Sequence, residues 1–209
     1  MWYDLSKIEY VKAVKVKAGN KTDVQVQVKV SIKLRDEIDV QNISVKLVSN
    51  KKWFNQIDKR VLKNYDKLWA IPQDVFKLFQ YFCWELKPYK KWTRDPRRMF
   101  ITEMIPEEQG KIFKFLNQNK LMIVSDILKW RGEFSAERML VVKKTSLYER
   151  VLKSMNEVMN FYGNWDIIIS PQWSIRIGKI TLQRKWGDWG RETANMLQFK
   201  IDPTQLFDI

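Results

Sequence analysis

Between Val24 and Lys33 the chain alternates without a break. Val24, Val26, Val28, Val30 and Ile32 are apolar, and Gln25, Gln27, Lys29, Ser31 and Lys33 are polar. Period two over ten residues, with β-branched residues at every apolar position, is the pattern of a half-buried strand and excludes a helix there. Ile43, Val45 and Leu47 repeat the pattern on a second segment, and the short polar link at residues 34–39 predicts an antiparallel hairpin. Counting parity, Asp23 continues the polar face of the first strand, and Ser44 and Lys46 fall on the polar face of the second. A carboxylate and an ammonium sharing an open hairpin face can hold a divalent metal beside a phosphate. The simpler alternative is a turn aspartate and a solvated strand lysine.

Composition narrows the chemistry. The chain has 209 residues and no histidine, so triads and nucleases that use histidine as base or nucleophile are excluded. A single cysteine, Cys83, cannot build a zinc site or an internal disulfide, and it fits a reducing compartment, with the cytoplasm as the expected location. No apolar run approaches a membrane span, and the first residues lack the pattern of a signal peptide. Lys and Arg total 38 against 24 Asp and Glu, a net charge of +14 spread through structured-looking sequence. Nucleic acid is the first partner this implies, and an anionic membrane surface the second. A phosphodiester-cleaving enzyme of this composition has to work with carboxylates, lysine and a hard cation such as Mg²⁺.

The periodicity predicts helices at residues 5–17, 51–69, 72–86, 106–119 and 147–161. It predicts strands at 121–125, 167–169 and 175–185, and a strand or short helix at 134–142. No repeat, low-complexity tract or linker interrupts residues 1–209, which read as a single domain. The densest basic run, Lys90, Lys91, Arg94, Arg97 and Arg98, is a candidate phosphate-contact loop, and equally a solvated one. Ten tryptophans accompany only seven glycines. Cation–π contact accounts for most of them, with base stacking as the alternative use.

A second arrangement of the same kind joins Asp166 to Gln183-x-Lys185. Only 24 residues follow Lys185, too few for the helix and strand that a metal-nuclease sheet needs after its lysine. Gln183, Arg184, Lys185 and Arg191 instead suit base-edge and phosphate contacts in a groove.

Taken together, Lys21-Thr22-Asp23, Ile43-Ser44-Val45-Lys46, Phe54-Asn55-Gln56-Ile57-Asp58, and the tail from Gly178 through Met196-Leu197-Gln198-Phe199-Lys200 resemble type II restriction endonucleases of the PD-(D/E)xK superfamily. The resemblance implies an α/β fold, a nuclease-like central mixed β-sheet flanked by helices. It implies a catalytic core at roughly residues 1–70 and DNA-recognition elements at roughly 164–209 of the one domain. It implies an Asp that binds Mg²⁺ and a Lys that orients or activates the attacking water, roles that map onto Asp23 and Lys46. Ser44 stands where the pattern carries a second carboxylate; Asp58, assisted by Gln56 as a neutral oxygen ligand, or Glu9 would have to supply it. Trp186 and Trp189 stand where similar tails carry glycine. The expected activity is Mg²⁺-dependent cleavage of double-stranded DNA at a short specific sequence by a homodimer, with a cognate DNA methyltransferase implied by the resemblance alone. The alternatives are a non-catalytic nucleic-acid-binding protein and a structural or anti-nuclease interaction protein.

Overall fold

The computed structural model describes residues 8–16, 24–32, 35–49, 54–132, 134–144, 149–171, 173–185 and 192–209. Asp23, Trp186, Trp189 and Arg191 lie outside them. The fold is mixed α/β, with two five-stranded sheets accompanied by helices. It divides into two compact units: residues 1–53, 128–158 and 202–209 form one, and residues 54–127 and 159–201 the other.

The first unit is built on a mixed sheet ordered β1-β2-β3-β5-β6, with β1 at Ile8–Lys15, β2 at Val24–Ile32, β3 at Arg35–Val48, β5 at Arg138–Lys143 and β6 at Arg150–Ser154. Among the described residues only β3 and β5 run parallel. The predicted hairpin is present, with Val24 opposite Ile43. Its link is shorter than expected, because β3 already begins at Arg35 and pairs with Ile32. The helix predicted at 5–17 is instead β1, paired antiparallel with β2. Valines at 11, 14 and 16 weaken a helix, and β2 offers an open ladder for this segment to complete. Likewise the segment predicted helical at 147–161 opens as β6, and only its second part is helical, as α5 (Met155–Gly163).

The second unit carries an antiparallel sheet ordered β4-β10-β9-β8-β7, with β4 at Asn55–Arg60, β7 at Ile167–Ile169, β8 at Ile175–Ile177, β9 at Ile180–Arg184 and β10 at Leu197–Ile201. Its helices are α1 (Leu62–Trp69), α2 (Gln73–Cys83), α3 (Pro106–Gln118) and α4 (Lys120–Leu128). Two expectations are corrected here. The helix predicted across 51–69 is strand β4 followed by α1, broken at Val61, whose backbone is extended (φ −66°, ψ 150°). The strand predicted at 121–125 is part of α4. A short apolar run is ambiguous between a buried strand and a buried helix, and Ile123, Val124, Ile127 and Leu128 are buried together on the helix. Tyr65, Trp69 and Phe199 pack as a triangle, with ring centroids 4.6, 5.5 and 5.9 Å apart, and seat α1 on β10.

Candidate active site and nucleic-acid face

In the first unit, β3 is the central strand, and its register against β5 is fixed at the entry. Glu137 N–H donates to the Asn42 carbonyl at 2.8 Å, and Asn42 N–H donates to Glu137 Oε2 at 3.0 Å. From there Ser44 lies beside Met139 and Lys46 beside Val141. Met139 and Val141 are buried, so the face they share with Ser44 and Lys46 is the covered one. This corrects the expectation of an open polar face. Ser44 is 0% exposed and Lys46 is half-buried, whereas Leu47 on the opposite face is 50% exposed.

Asp23 is covalently joined to Val24, which pairs with Ile43, the neighbour of Ser44. Glu9 sits far from that rung. The register of β1 slips at Glu9, between Ile8 opposite Val30 and Tyr10 opposite Lys29, while Lys15 is the residue opposite Val24. The separation along the ladder is roughly 20 Å at strand rise.

Asp58 belongs to the second unit, where its carboxylate is already engaged. Arg60 donates to Asp58 Oδ2 from Nε at 2.8 Å and from its terminal nitrogen at 2.6 Å, and the Tyr65 hydroxyl donates at 3.0 Å. The same Arg60 nitrogen reaches Asp126 at 2.6 Å, and Trp69 Nε1 donates to Asp126 at 2.9 Å. Burial would lower the Arg60 pKa, but the two carboxylates win and raise it, so Arg60 stays charged. Burial, with Asp58 alongside, keeps the Tyr65 hydroxyl protonated and able to donate. Among the described residues no three Asp, Glu, Cys or His side chains cluster as a metal cage.

The polar face of the second sheet holds a row the sequence did not foretell. Gln183 Nε2 donates to Gln198 Oε1 at 3.3 Å, and Gln198 Nε2 donates to Gln56 Oε1 at 2.6 Å, linking β9, β10 and β4. Gln198 is buried, Gln183 half-buried and Gln56 exposed. Lys200, two residues along β10 on the same face, is opposite both Gln56 and Thr181, and burial lowers its pKa. The one signal that could have found this row is the polar pair Gln198 and Lys200 alternating with Leu197, Phe199 and Ile201.

The basic candidates separate sharply. Arg98 is 2% exposed and stacks on Phe100 at 4.1 Å; Arg184 is 3% exposed and donates to the Ala194 carbonyl at 3.0 Å. Burial and the charge of Arg184 lower the Arg98 pKa, with Asp95 opposing. The Arg97 side chain donates two hydrogen bonds to Asp95, at 2.7 and 3.0 Å, and its backbone N–H a third at 3.1 Å. Lys90 donates to the Glu103 carbonyl. Lys91 and Arg94 are exposed, and Arg94 stacks over Trp173 at 4.0 Å. Lys185 is half-buried at the end of β9, its N–H donating to the Met196 carbonyl. Trp92, between the exposed cations, is 84% exposed. Asp166, the carboxylate of the second arrangement, is exposed and lies outside the glutamine row.

Against known proteins, the family model of the R.HinP1I restriction endonuclease matches residues 1–207. The chain belongs to that family. It is therefore a type II restriction endonuclease, an enzyme whose reaction is the cutting of DNA. Its fold is that of restriction endonuclease MspI, whose crystal structure in complex with its cognate DNA matches with a TM-score of 0.65 at 13% identity, over 94% of this chain and 72% of that one. No curated protein matches the sequence. No described helix is long and apolar enough to cross a membrane.

Proposed function

We propose that this restriction endonuclease hydrolyses double-stranded DNA at a short specific sequence, using Mg²⁺, with Asp23 and Lys46 as its catalytic residues. The observation that carries the reading is the half-buried Lys46 beside buried Ser44 on the inner face of β3, one rung from the strand that Asp23 precedes. Oxygen donors suit a hard cation: there is no histidine, and burial keeps the thiol of Cys83 protonated, so no soft ligand competes. Asp23 would hold the ion, which would supply Lewis-acid polarisation of the scissile phosphate. Lys46 stabilises the negative charge that develops on the phosphate and orients the attacking water. Ser44, closed off from solvent, acts as a positioning residue for Lys46 and not as a substitute carboxylate. The engagement of Asp58 by Arg60 and Tyr65, and the distance of Glu9 along its ladder, leave Asp23 as the carboxylate of this reading.

Sequence is read by the amides and ammonium on the second sheet. Glutamine presents a donor and an acceptor together, the pair that a base edge in the major groove can match, and Lys200 adds a further donor. Lys91 and Arg94 contact phosphates. A homodimer would place one site on each strand of a palindrome, and the enzyme would work in the cytoplasm beside a methyltransferase that protects the same sequence. Incubating phage DNA with the protein and Mg²⁺ and sequencing the ends tests this: a discrete set of ends sharing one short sequence is expected. DNA bound but left whole in Mg²⁺ would overturn the proposed metal and its catalytic residues.

A further inference from the structure

Within the second unit, apart from the glutamine row, a cavity of about 330 Å³ is lined by Trp165, Asp166, Ile168, Arg176, Gly178 and Lys179. That is at the lower end of the volumes that enclose small molecules, room for one nucleotide and not for an oligonucleotide. The walls are fixed by the turn between β8 and β9. Gly178 N–H donates to the Asp166 carbonyl at 3.1 Å, and Lys179 N–H donates to the Tyr162 carbonyl at 2.8 Å. Gly178 has φ +59°, and a Cβ there would lie 2.3 Å from the Tyr162 carbonyl oxygen, so only glycine permits this closure. Lys120 Nζ holds the Trp165 carbonyl at 2.8 Å, yet the residue remains 59% exposed.

Four groups converge on the cavity with complementary chemistry. The Lys179 ammonium is 3.5 Å from the centre of the Phe161 ring and 5.3 Å from that of Trp165, a cation already oriented by two aromatic faces. Arg176 Nε is shut off from solvent and has no hydrogen-bond partner among the described residues. Asp166 presents an exposed carboxylate, and the Trp165 indole an open aromatic surface. Two cations, a stacking ring and one acceptor are the requirements of a phosphate, a base and the amino group of that base.

We propose that this cavity binds a nucleoside 5′-monophosphate unit: the phosphate on Arg176 and Lys179, the base stacked on Trp165, and the exocyclic amine of that base donating to Asp166. The unit comes either as a free mononucleotide or as an unpaired nucleotide of DNA; the chemistry is shared. The site uses no residue of the proposed cleavage reaction, so an inactive nuclease would leave it standing.

Calorimetric titration with the four 2′-deoxynucleoside 5′-monophosphates, inorganic phosphate and deoxycytidine provides the test. Saturable binding of dCMP is expected, tighter than that of phosphate or deoxycytidine. dTMP should bind weakest, because its edge places two carbonyls around its only donor. Trp165→Ala, at an exposed position, and Arg176→Gln should each weaken dCMP at least about tenfold. Asp166→Asn should narrow the gap to dTMP. Displacement of fluorophore-labelled dCMP by a duplex with one unpaired cytosine, and not by a blunt paired duplex, identifies the DNA-borne source. Displacement by neither identifies the free nucleotide. No saturable dCMP binding, equal affinity for phosphate alone, or unchanged affinity in Trp165→Ala overturns the proposal.

Discussion

Gln198 Nε2 donates to Gln56 Oε1 at 2.6 Å, and so fixes which end of the exposed Gln56 amide faces outward. An amide free to rotate offers donor and acceptor interchangeably; one held from behind offers a defined pattern. Gln198→Leu removes that hold while keeping the side chain's approximate size. The expected result is a loss of discrimination of roughly 1–3 kcal/mol at one base pair of the recognition sequence. Cleavage rates on cognate and single-mismatch duplexes measure it, and an unchanged mismatch profile would remove the row from recognition.

Lys46→Ala and Asp23→Asn should each abolish cleavage while leaving DNA binding in Ca²⁺ largely intact, since phosphate contacts made elsewhere survive. Gel-shift affinity and single-turnover cleavage separate the two effects. Normal turnover in Asp23→Asn, with loss in Asp166→Asn, would move the active site to the second arrangement.

Arg60 bridges two buried carboxylates, at 2.6 Å from each. Arg60→Met strands both charges, and breaking a buried pair in this way costs about 3–5 kcal/mol. Urea denaturation should show that loss. Asp58→Asn should also lower stability. If Asp58→Asn instead leaves stability unchanged and raises the metal concentration needed for cleavage, Asp58 is a metal ligand after all.

Lys91 and Arg94 are the exposed cations of the basic loop, whereas Arg98 is closed in. Replacing both exposed residues by alanine should flatten the slope of log K against log salt by about one to two units, alike for cognate and random DNA. A wild-type slope in the double variant would place the DNA elsewhere.

Trp130 and Trp173 have left-handed backbones, φ +67° and +60°. A bulky residue there costs roughly 1–2 kcal/mol, which glycine avoids. Trp173 recovers part of this from Arg94 and from Phe100, 5.6 Å away, whereas Trp130 makes no ring contact among the described residues. Glycine relieves the strain at either position but gives up the ring. Trp130 is half-buried and loses more apolar burial than that strain is worth, so Trp130→Gly should lower the melting temperature. Trp173→Gly should lower it through the lost Arg94 and Phe100 contacts. Thermal unfolding of the two variants, side by side, decides it.

The amino-acid order by itself determined the β2–β3 hairpin, because period-two alternation is local and incompatible with a helix. It also determined α2 and α3, whose apolar residues recur at helical spacing behind Pro72 and Pro106. The absence of histidine and the lone cysteine settled by elimination which metals and nucleophiles were open. Only tertiary structure decided the rest. Residues 8–15 became a strand because β2 offered them a ladder, a partnership no local window contains. The face of β3 bearing Ser44 and Lys46 turned inward because β5 arrived in parallel with Met139 and Val141 on the same side. Arg98 and Arg184 read as surface cations from charge alone, but packing against Phe100 and against the Ala194 carbonyl closed them in. The glutamine row joins positions 56, 183 and 198, distant in sequence and adjacent only once β4, β9 and β10 pair. Periodicity reports which face of an element is apolar; what covers that face depends on which segments meet.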